Sequence, residues 1–568
     1  MAPPGDTQIT EATETTALLS KDTTKSIDPL SNGTNGHAVN GNSILTDTVD
    51  PENGQVEEID NSPLLASKPE PPQNLYLFLP AVGLGILLSA ADQTLIVSSY
   101  GKIGSDLNAL NNTSWVATAY FLTLTSFQPL YGKLSDIFGR KPALLFSYLV
   151  FGLGCLFCGL ARNLGELVAA RAFAGIGGGG MTTVVSILLS DVIPLRNRGT
   201  WQGYVNLIYA AGASAGAPLG GVLADSIGWR WAFLGQAPVC LAAFLIVYFV
   251  LDLPQPEQSH LREKLAKVDF LGAFTLIISV SSLLLGLDRG SNVGWNDTIT
   301  ITCCSLSIPL LAVFVFVEMK VAAFPFAPGH IIFERSVVAS YIVNFLSLAG
   351  HLSGIFYVPL YLQVVDDLSA AAAGTRMIPP LIASVSGSLL GGIIMQRTGK
   401  YYRLTICSLA LSVLGSIIIF LSAGIFQFSW GLIIGLCFSA LGIGSTITTT
   451  LISVIANIDP KDQAIATACT YLFRSLGSVV GVSLGSTLVQ QVLRRRLRAG
   501  LDSGSEADKI VERVRQSLDF IKELEPHTRA IVMRCYEKAT TAAFGLTIAY
   551  MSMALIASFW IRETKLSR

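Results

Sequence analysis

The stretch Gly132-Lys133-Leu134-Ser135-Asp136-Ile137-Phe138-Gly139-Arg140-Lys141 is a short charged turn between two apolar runs, residues 115–131 and 142–160. Each run is close to the length at which a helix crosses a bilayer, so the two read as antiparallel membrane helices joined tightly. Gly132 and Gly139 allow close backbone approach and the turn itself. Asp136 can accept hydrogen bonds from Arg140 or cap the end of a neighbouring helix. Lys133, Arg140 and Lys141 in so short a loop place it on the cytosolic side.

Composition extends that reading to the whole chain. Of 568 residues, 51% are hydrophobic and only 14% charged, and the mean hydropathy is +0.54. An all-α polytopic membrane protein is the class that fits. A net charge of −1 gives no indication of a nucleic-acid partner. The nine cysteines sit almost entirely within apolar runs, as Cys155, Cys158, Cys303, Cys304 and Cys437 do, and read as packing groups. No second pair or histidine follows Cys155 and Cys158, so no metal or cofactor is expected.

Residues 1–74 are expected to be a disordered cytosolic tail: polar, without aromatics, and unable to bury enough apolar surface to offset ordering entropy. The tail lacks the regions of a cleavable signal peptide, which leaves insertion to the first span. Glu14-Thr-Thr-Ala-Leu18-Leu19 and Asp60-Asn-Ser-Pro-Leu64-Leu65 resemble acidic dileucine signals. That resemblance implies a sorting adaptor as partner and a vacuolar, lysosome-like destination.

Hydropathy predicts spans at about 75–98, 114–131, 142–161, 165–190, 203–223 and 231–251. Two more follow the basic linker His260–Lys267, at about 269–287 and 299–318. The last six fall at about 336–361, 371–395, 403–423, 429–451, 464–490 and 541–561. Fourteen is even, so both termini are expected in the cytosol. Arg196, Arg198, Arg262, Lys264, Lys267, Arg397, Lys400 and Arg403 then all lie inside. The sequons at Asn111 and Asn296 lie outside, close to the membrane, and would make the chain a glycoprotein if used. Arg494-Arg495-Arg496-Leu497-Arg498 opens an expected lumenal loop at about 491–540, in which Ala507–Leu524 has amphipathic spacing.

Gly392-Ile-Ile-Met-Gln-Arg397-Thr-Gly399-Lys400 echoes the opening turn, with glycines at the same separation. The echo predicts two parallel six-helix bundles, 75–255 and 336–568, joined by two linker helices within 256–335 and rocking about a midplane site. Gly175-Ile-Gly177-Gly-Gly-Gly180 matches a dinucleotide-binding pattern, but inside a hydrophobic span it serves helix packing. No P-loop is present, so transport must be gradient-driven or passive, and no nucleophile–base set suggests an enzyme.

Asp92 is the carboxylate deep in an apolar span, where an ionised group is costly unless paired or facing water. Packing by neighbours is the alternative reading. Arg171 and Arg474 are the buried cations, and Asp92 and Arg171 lie at depths where they could meet. A carboxylate switching between a paired and a desolvated state couples protonation to conformation. His351 and Asn344 share a face of the ninth span. Asn206, Tyr209, Tyr357 and Tyr361 are cavity candidates, and all of these are equally compatible with polar packing.

The opening turn resembles the loop 2–3 signature of the major facilitator superfamily. Gly212-Ala-Ser-Ala-Gly216-Ala-Pro218-Leu-Gly220-Gly221 resembles the superfamily's antiporter motif, with Ala217 as a departure, and reads physically as a kinked, closely packed helix at a moving interface. Arg171 with Gly175 resembles the fourth-span arginine. Together with Asp92-Gln-Thr-Leu-Ile-Val, these features resemble the fourteen-span drug:proton antiporter branch over about residues 75–565. Within it, residues 118–133 are similar to the fungal vacuolar basic amino acid transporters. The resemblance implies a monomeric, proton-coupled antiporter moving cationic Lys, Arg and His from cytosol to vacuole, with protons and membrane lipid as its other partners. Drug or siderophore export at the plasma membrane, and a non-transporting nutrient sensor, are the alternatives.

Overall fold

A computed structural model describes residues 75–107, 114–251, 268–292, 294–322, 334–368, 370–500, 521 and 524–566. The tail with both dileucine stretches, the His260–Lys267 linker, the Asn111 sequon and nearly all of Ala507–Leu524 lie outside the described residues.

All regular structure among these residues is helical. The first series is α1 (Leu75–Asp106), α2 (Ser114–Phe138), α3 (Arg140–Leu160), α4 (Leu164–Val192), α5 (Leu195–Ser226), α6 (Trp229–Leu234) and α7 (Gln236–Val250). Then come α8 (Phe270–Asn292) and α9 (Thr298–Phe316), the latter ending in a π-helical turn, Val317–Val321. The second series is α10 (Arg335–Val364), α11 (Ala370–Thr375), α12 (Ile378–Thr398), α13 (Tyr402–Leu421), α14 (Ser429–Ala456), α15 (Gln463–Gly500) and α16 (Pro526–Ser558).

Twelve helical segments among the described residues are long and apolar enough to cross a membrane. The expected fourteen include α1, whose apolar stretch is the shorter Val82–Ile96, and α2, which carries Thr118, Thr123, Thr125, Ser126 and Gln128 along its length.

Helices overrun the expected spans where packing continues past the apolar run. The loop expected at about 491–540 is shorter, because α15 runs through Arg494–Arg498 to Gly500 and α16 starts at Pro526. Leu493 and Leu497 are buried with Val532, Cys535 and Tyr536, so the two helices support each other beyond the predicted boundary.

The two series pack alike. In the first, α1 lies on α5, α2 on α4, and α3 on α4 and α7. In the second, α10 lies on α15, α12 on α14, and α13 on α14 and α16. Small residues let these backbones close in, since membrane helices gain little from hydrophobic exclusion and depend on contact. A Cβ at Gly175 of α4 would run into the Tyr120 carbonyl of α2, and one at Gly481 of α15 into the Ala349 carbonyl of α10. α8 and α9 pair with each other, and α8 also touches α2 and α15.

The bundles meet along two seams, α5 against α12 and α2 against α15. The repeated turns explain both. Gly139 and Gly399 take positive φ, 97° and 67°, conformations that favour glycine. Gly132 abuts Ala464 and Ala468 of α15, and its counterpart Gly392 abuts Gly199 and Thr200 of α5. At this end Arg196 Nε donates to the Gln396 carbonyl at 2.6 Å, and Arg198 Nη1 donates to Gln463 Oε1 at 3.2 Å. Thr200 Oγ1 donates to Gln396 Oε1 at 3.0 Å.

These contacts close the molecule at the charged-turn end. Gly392→Val would push α12 off the Gly199 backbone and is expected to open the closed end. A spin-label pair at Asn197 and Arg397, side chains outside those hydrogen bonds, should lengthen by several ångströms; an unchanged distance would refute the role of Gly392.

Candidate functional site

Asp92 on α1 and Arg171 on α4 are closed off from solvent, 0% and 1% exposed. Arg171 Nη1 donates to Asp92 Oδ2 at 2.7 Å, and its Nε donates to the Val116 carbonyl of α2 at 3.2 Å. The guanidinium carbon stands 4.3 Å from the ring centre of Tyr120 and 5.5 Å from that of Phe233. Gln236 Nε2, at the start of α7, donates to Asp92 Oδ1 at 3.3 Å. Such a pair repays its desolvation only with good geometry and further hydrogen bonds, and here both are present.

Every one of these partners belongs to the first bundle, so the pair lies within that bundle's interior and not on the seam. Gln93, the next residue, faces elsewhere: its Oε1 accepts from the Tyr209 hydroxyl of α5 at 2.9 Å. Asp92 is not alone as a buried carboxylate: Glu318 and Asp462 are buried at helix ends, and Glu537 is buried within α16, before the apolar run predicted at about 541–561.

The second bundle carries a different centre. Arg474 on α15 is 8% exposed. Its Nε donates to Asn344 Oδ1 at 2.9 Å and its Nη2 to the Ile447 carbonyl at 2.6 Å. Thr450 Oγ1 also donates to Asn344 Oδ1, at 3.2 Å. His351 is buried two helical turns beyond Asn344 on α10, and its Nδ1 has no hydrogen-bond partner among the described residues. Tyr357 and Tyr361 donate to the Val482 and Ala423 carbonyls at 3.3 Å each and serve packing within the second bundle.

Asn206 bridges the halves: its Nδ2 donates to Ser388 Oγ of α12 at 2.7 Å, and Ser388 pairs with Thr448 at 2.8 Å. Gln202 Nε2 reaches Asn206 Oδ1 at 3.3 Å and the Tyr471 hydroxyl at 3.5 Å, and Arg474 stands 5.2 Å from the Tyr471 ring centre. A polar chain therefore runs from α5 across the seam towards Arg474. Gln93, Gln202, Gln236, Ser388 and Tyr471 were not singled out by sequence. The signal was there in the glutamines, whose amides are as costly in an apolar span as the residues that were chosen.

The conformational motifs also fall into place. Arg140 holds two carboxylates, Asp136 Oδ1 and Asp191 Oδ2, each at 2.6 Å, which ties the turn to the end of α4. Burial pushes the Asp136 carboxyl up from its ordinary value, against the pull of Arg140. Lys141 Nζ lies 5.4 Å from the Tyr248 ring centre. Gly216 packs against the Ala91 carbonyl and Thr94, and the Gly220 carbonyl accepts from Ser99 at 3.1 Å. That motif is a tight α1–α5 joint beside Asp92, inside the first bundle; the seam face of α5 is instead Gly199, Gly203 and Asn206.

The family model for the Major Facilitator Superfamily matches residues 82–482. The chain belongs to the major facilitator superfamily. This transporter is 40% identical over 489 residues to the vacuolar membrane amino acid uptake transporter fnx2 of Schizosaccharomyces pombe, covering 86% of this chain and 84% of that one. It is 35% identical to the multidrug resistance protein fnx1 of the same organism, covering 86% and 92%. It is 33% identical to vacuolar basic amino acid transporter 2 of Saccharomyces cerevisiae, covering 78% and 96%. The solved proton:xylose symporter XylE shares its fold, with a TM-score of 0.56 at 14% identity over 87% of this chain and 97% of that one.

Proposed function

We propose that this transporter exchanges lumenal protons for cytosolic basic amino acids at the vacuolar membrane, as a monomer of fourteen spans with both termini in the cytosol. The observation that carries the proton half is the sealed Asp92–Arg171 pair. Protonating Asp92 removes the charge that holds Arg171, and α1 can then shift against α4; losing the proton restores the lock. With the charged turn in the cytosol, the contacts that close that end support a carrier that takes its proton and releases its substrate on the lumenal side. Both seams come from one chain, which suits a monomer. Each pH unit supplies about 1.4 kcal/mol per proton, or roughly tenfold accumulation.

The substrate half draws support from two relatives whose names state amino acid uptake and basic amino acid transport. The test is uptake of labelled lysine, arginine and histidine into acid-inside proteoliposomes. Accumulation of about tenfold or more, abolished by a protonophore, is the expected result. No uptake of any of the three would remove the amino acid reading. The relative named for multidrug resistance favours the second reading, proton-coupled drug export, and uptake of cationic dyes in place of amino acids would select it.

A further inference from the structure

We propose that Arg474 is the receptor for the α-carboxylate of the transported amino acid, an assignment that rests on the amino acid reading above. Of the two buried midspan arginines, Arg171 has its counter-ion in Asp92, whereas Arg474 has none among the described residues. Its hydrogen-bond partners are all neutral, the Asn344 amide oxygen, the Ile447 carbonyl and the Tyr471 hydroxyl, and spare N–H donors remain on the guanidinium. A buried cation without a counter-charge is costly, and a carboxylate is the group whose paired oxygens match the guanidinium fork.

Position points the same way. Arg474 is flanked on α15 by two residues that touch the opposite bundle: the Tyr471 hydroxyl meets Gln202, and Ser475 Oγ donates to Gln128 Oε1 at 3.2 Å. The guanidinium thus stands beside the seam where alternating access must place a substrate. Its 8% exposure leaves it an edge to meet a ligand. Asn344, itself steadied by Thr450, fixes the orientation of the fork.

The test is displacement of labelled lysine from purified transporter by lysine, by lysine methyl ester and by 1,5-diaminopentane, which keeps both ammonium ends but has no carboxylate. Wild type is expected to bind lysine at least about tenfold tighter than either analogue. Arg474→Gln should bind all three alike and weakly, and Arg474→Lys should recover part of the preference. Equal affinity of wild type for lysine and 1,5-diaminopentane overturns the assignment while leaving basic-substrate binding in place, a result that does not depend on any variant folding. Preference retained in Arg474→Gln overturns it as well. Failure of wild type to bind lysine at all sinks the amino acid reading and this assignment together.

Discussion

Asp92→Asn is expected to abolish proton-driven uptake and to destabilise the transporter more than the double variant Asp92→Asn/Arg171→Gln does. The single change leaves a guanidinium that is 1% exposed without its counter-charge, with the Val116 carbonyl, the Cys158 thiol, a neutral amide and two aromatic faces around it. Breaking a buried pair from one side costs about 3–5 kcal/mol, because the orphaned charge keeps its desolvation penalty. Removing both charges replaces the pair by two amides that can bond to each other and to Gln236, and should recover most of that loss. Thermal unfolding in detergent, read beside protonophore-sensitive uptake, separates the two effects. The double variant should be the more stable protein and should still fail to couple. Equal stability of single and double variants would refute the pair as a charge unit, and surviving proton-driven uptake in Asp92→Asn would refute its coupling role.

The second large effect comes from a residue with no polar chemistry. Gly481→Ala is expected to lower stability sharply, while Gly374→Ala is neutral or stabilising. By helix propensity alone both should gain up to about 1 kcal/mol, since glycine is the poorer helix former. Around Gly374 a new Cβ meets nothing within 4 Å, so propensity governs. At Gly481 the Cβ meets the Ala349 backbone of α10, and backbone cannot rotate away as a side chain can. Overpacking of this kind costs about 1–3 kcal/mol, and here it also separates the helices that hold Asn344 and Arg474 together. Unfolding midpoints of the two variants decide the matter; similar shifts in both would mean that α10 and α15 are free to move apart.

Much of the candidate site was legible because charge is expensive in an apolar span. Asp92, Arg171, Arg474 and Asn344 stood out against their surroundings, and the structure joins them as two pairs. His351 stood out equally well, and its Nδ1 acquires no partner among the described residues. Asp191 was overlooked, since a carboxylate at a helix end is ordinary in sequence; only the fold brings it to Arg140. The boundaries of α15 and α16 were misjudged for a related reason. Hydropathy measures the fit of a segment to lipid, whereas Leu493 and Leu497 are held by Val532 and Tyr536 beyond the apolar run.

The sequence by itself determined that the chain is a bundle of membrane helices in two repeats, because bilayer length, charged turns and glycine spacing are local constraints. Gly139 and Gly399 needed no tertiary information to be recognised as turns. Only the tertiary structure decided that Asp92 faces the interior of its own bundle, that Arg474 has no counter-ion among the described residues, and that the charged turns hold the two bundles together. Those outcomes depend on how each helix is rotated about its axis. Helices apolar on nearly every side carry little periodicity to announce that rotation; it is set by which small residues let which backbones touch.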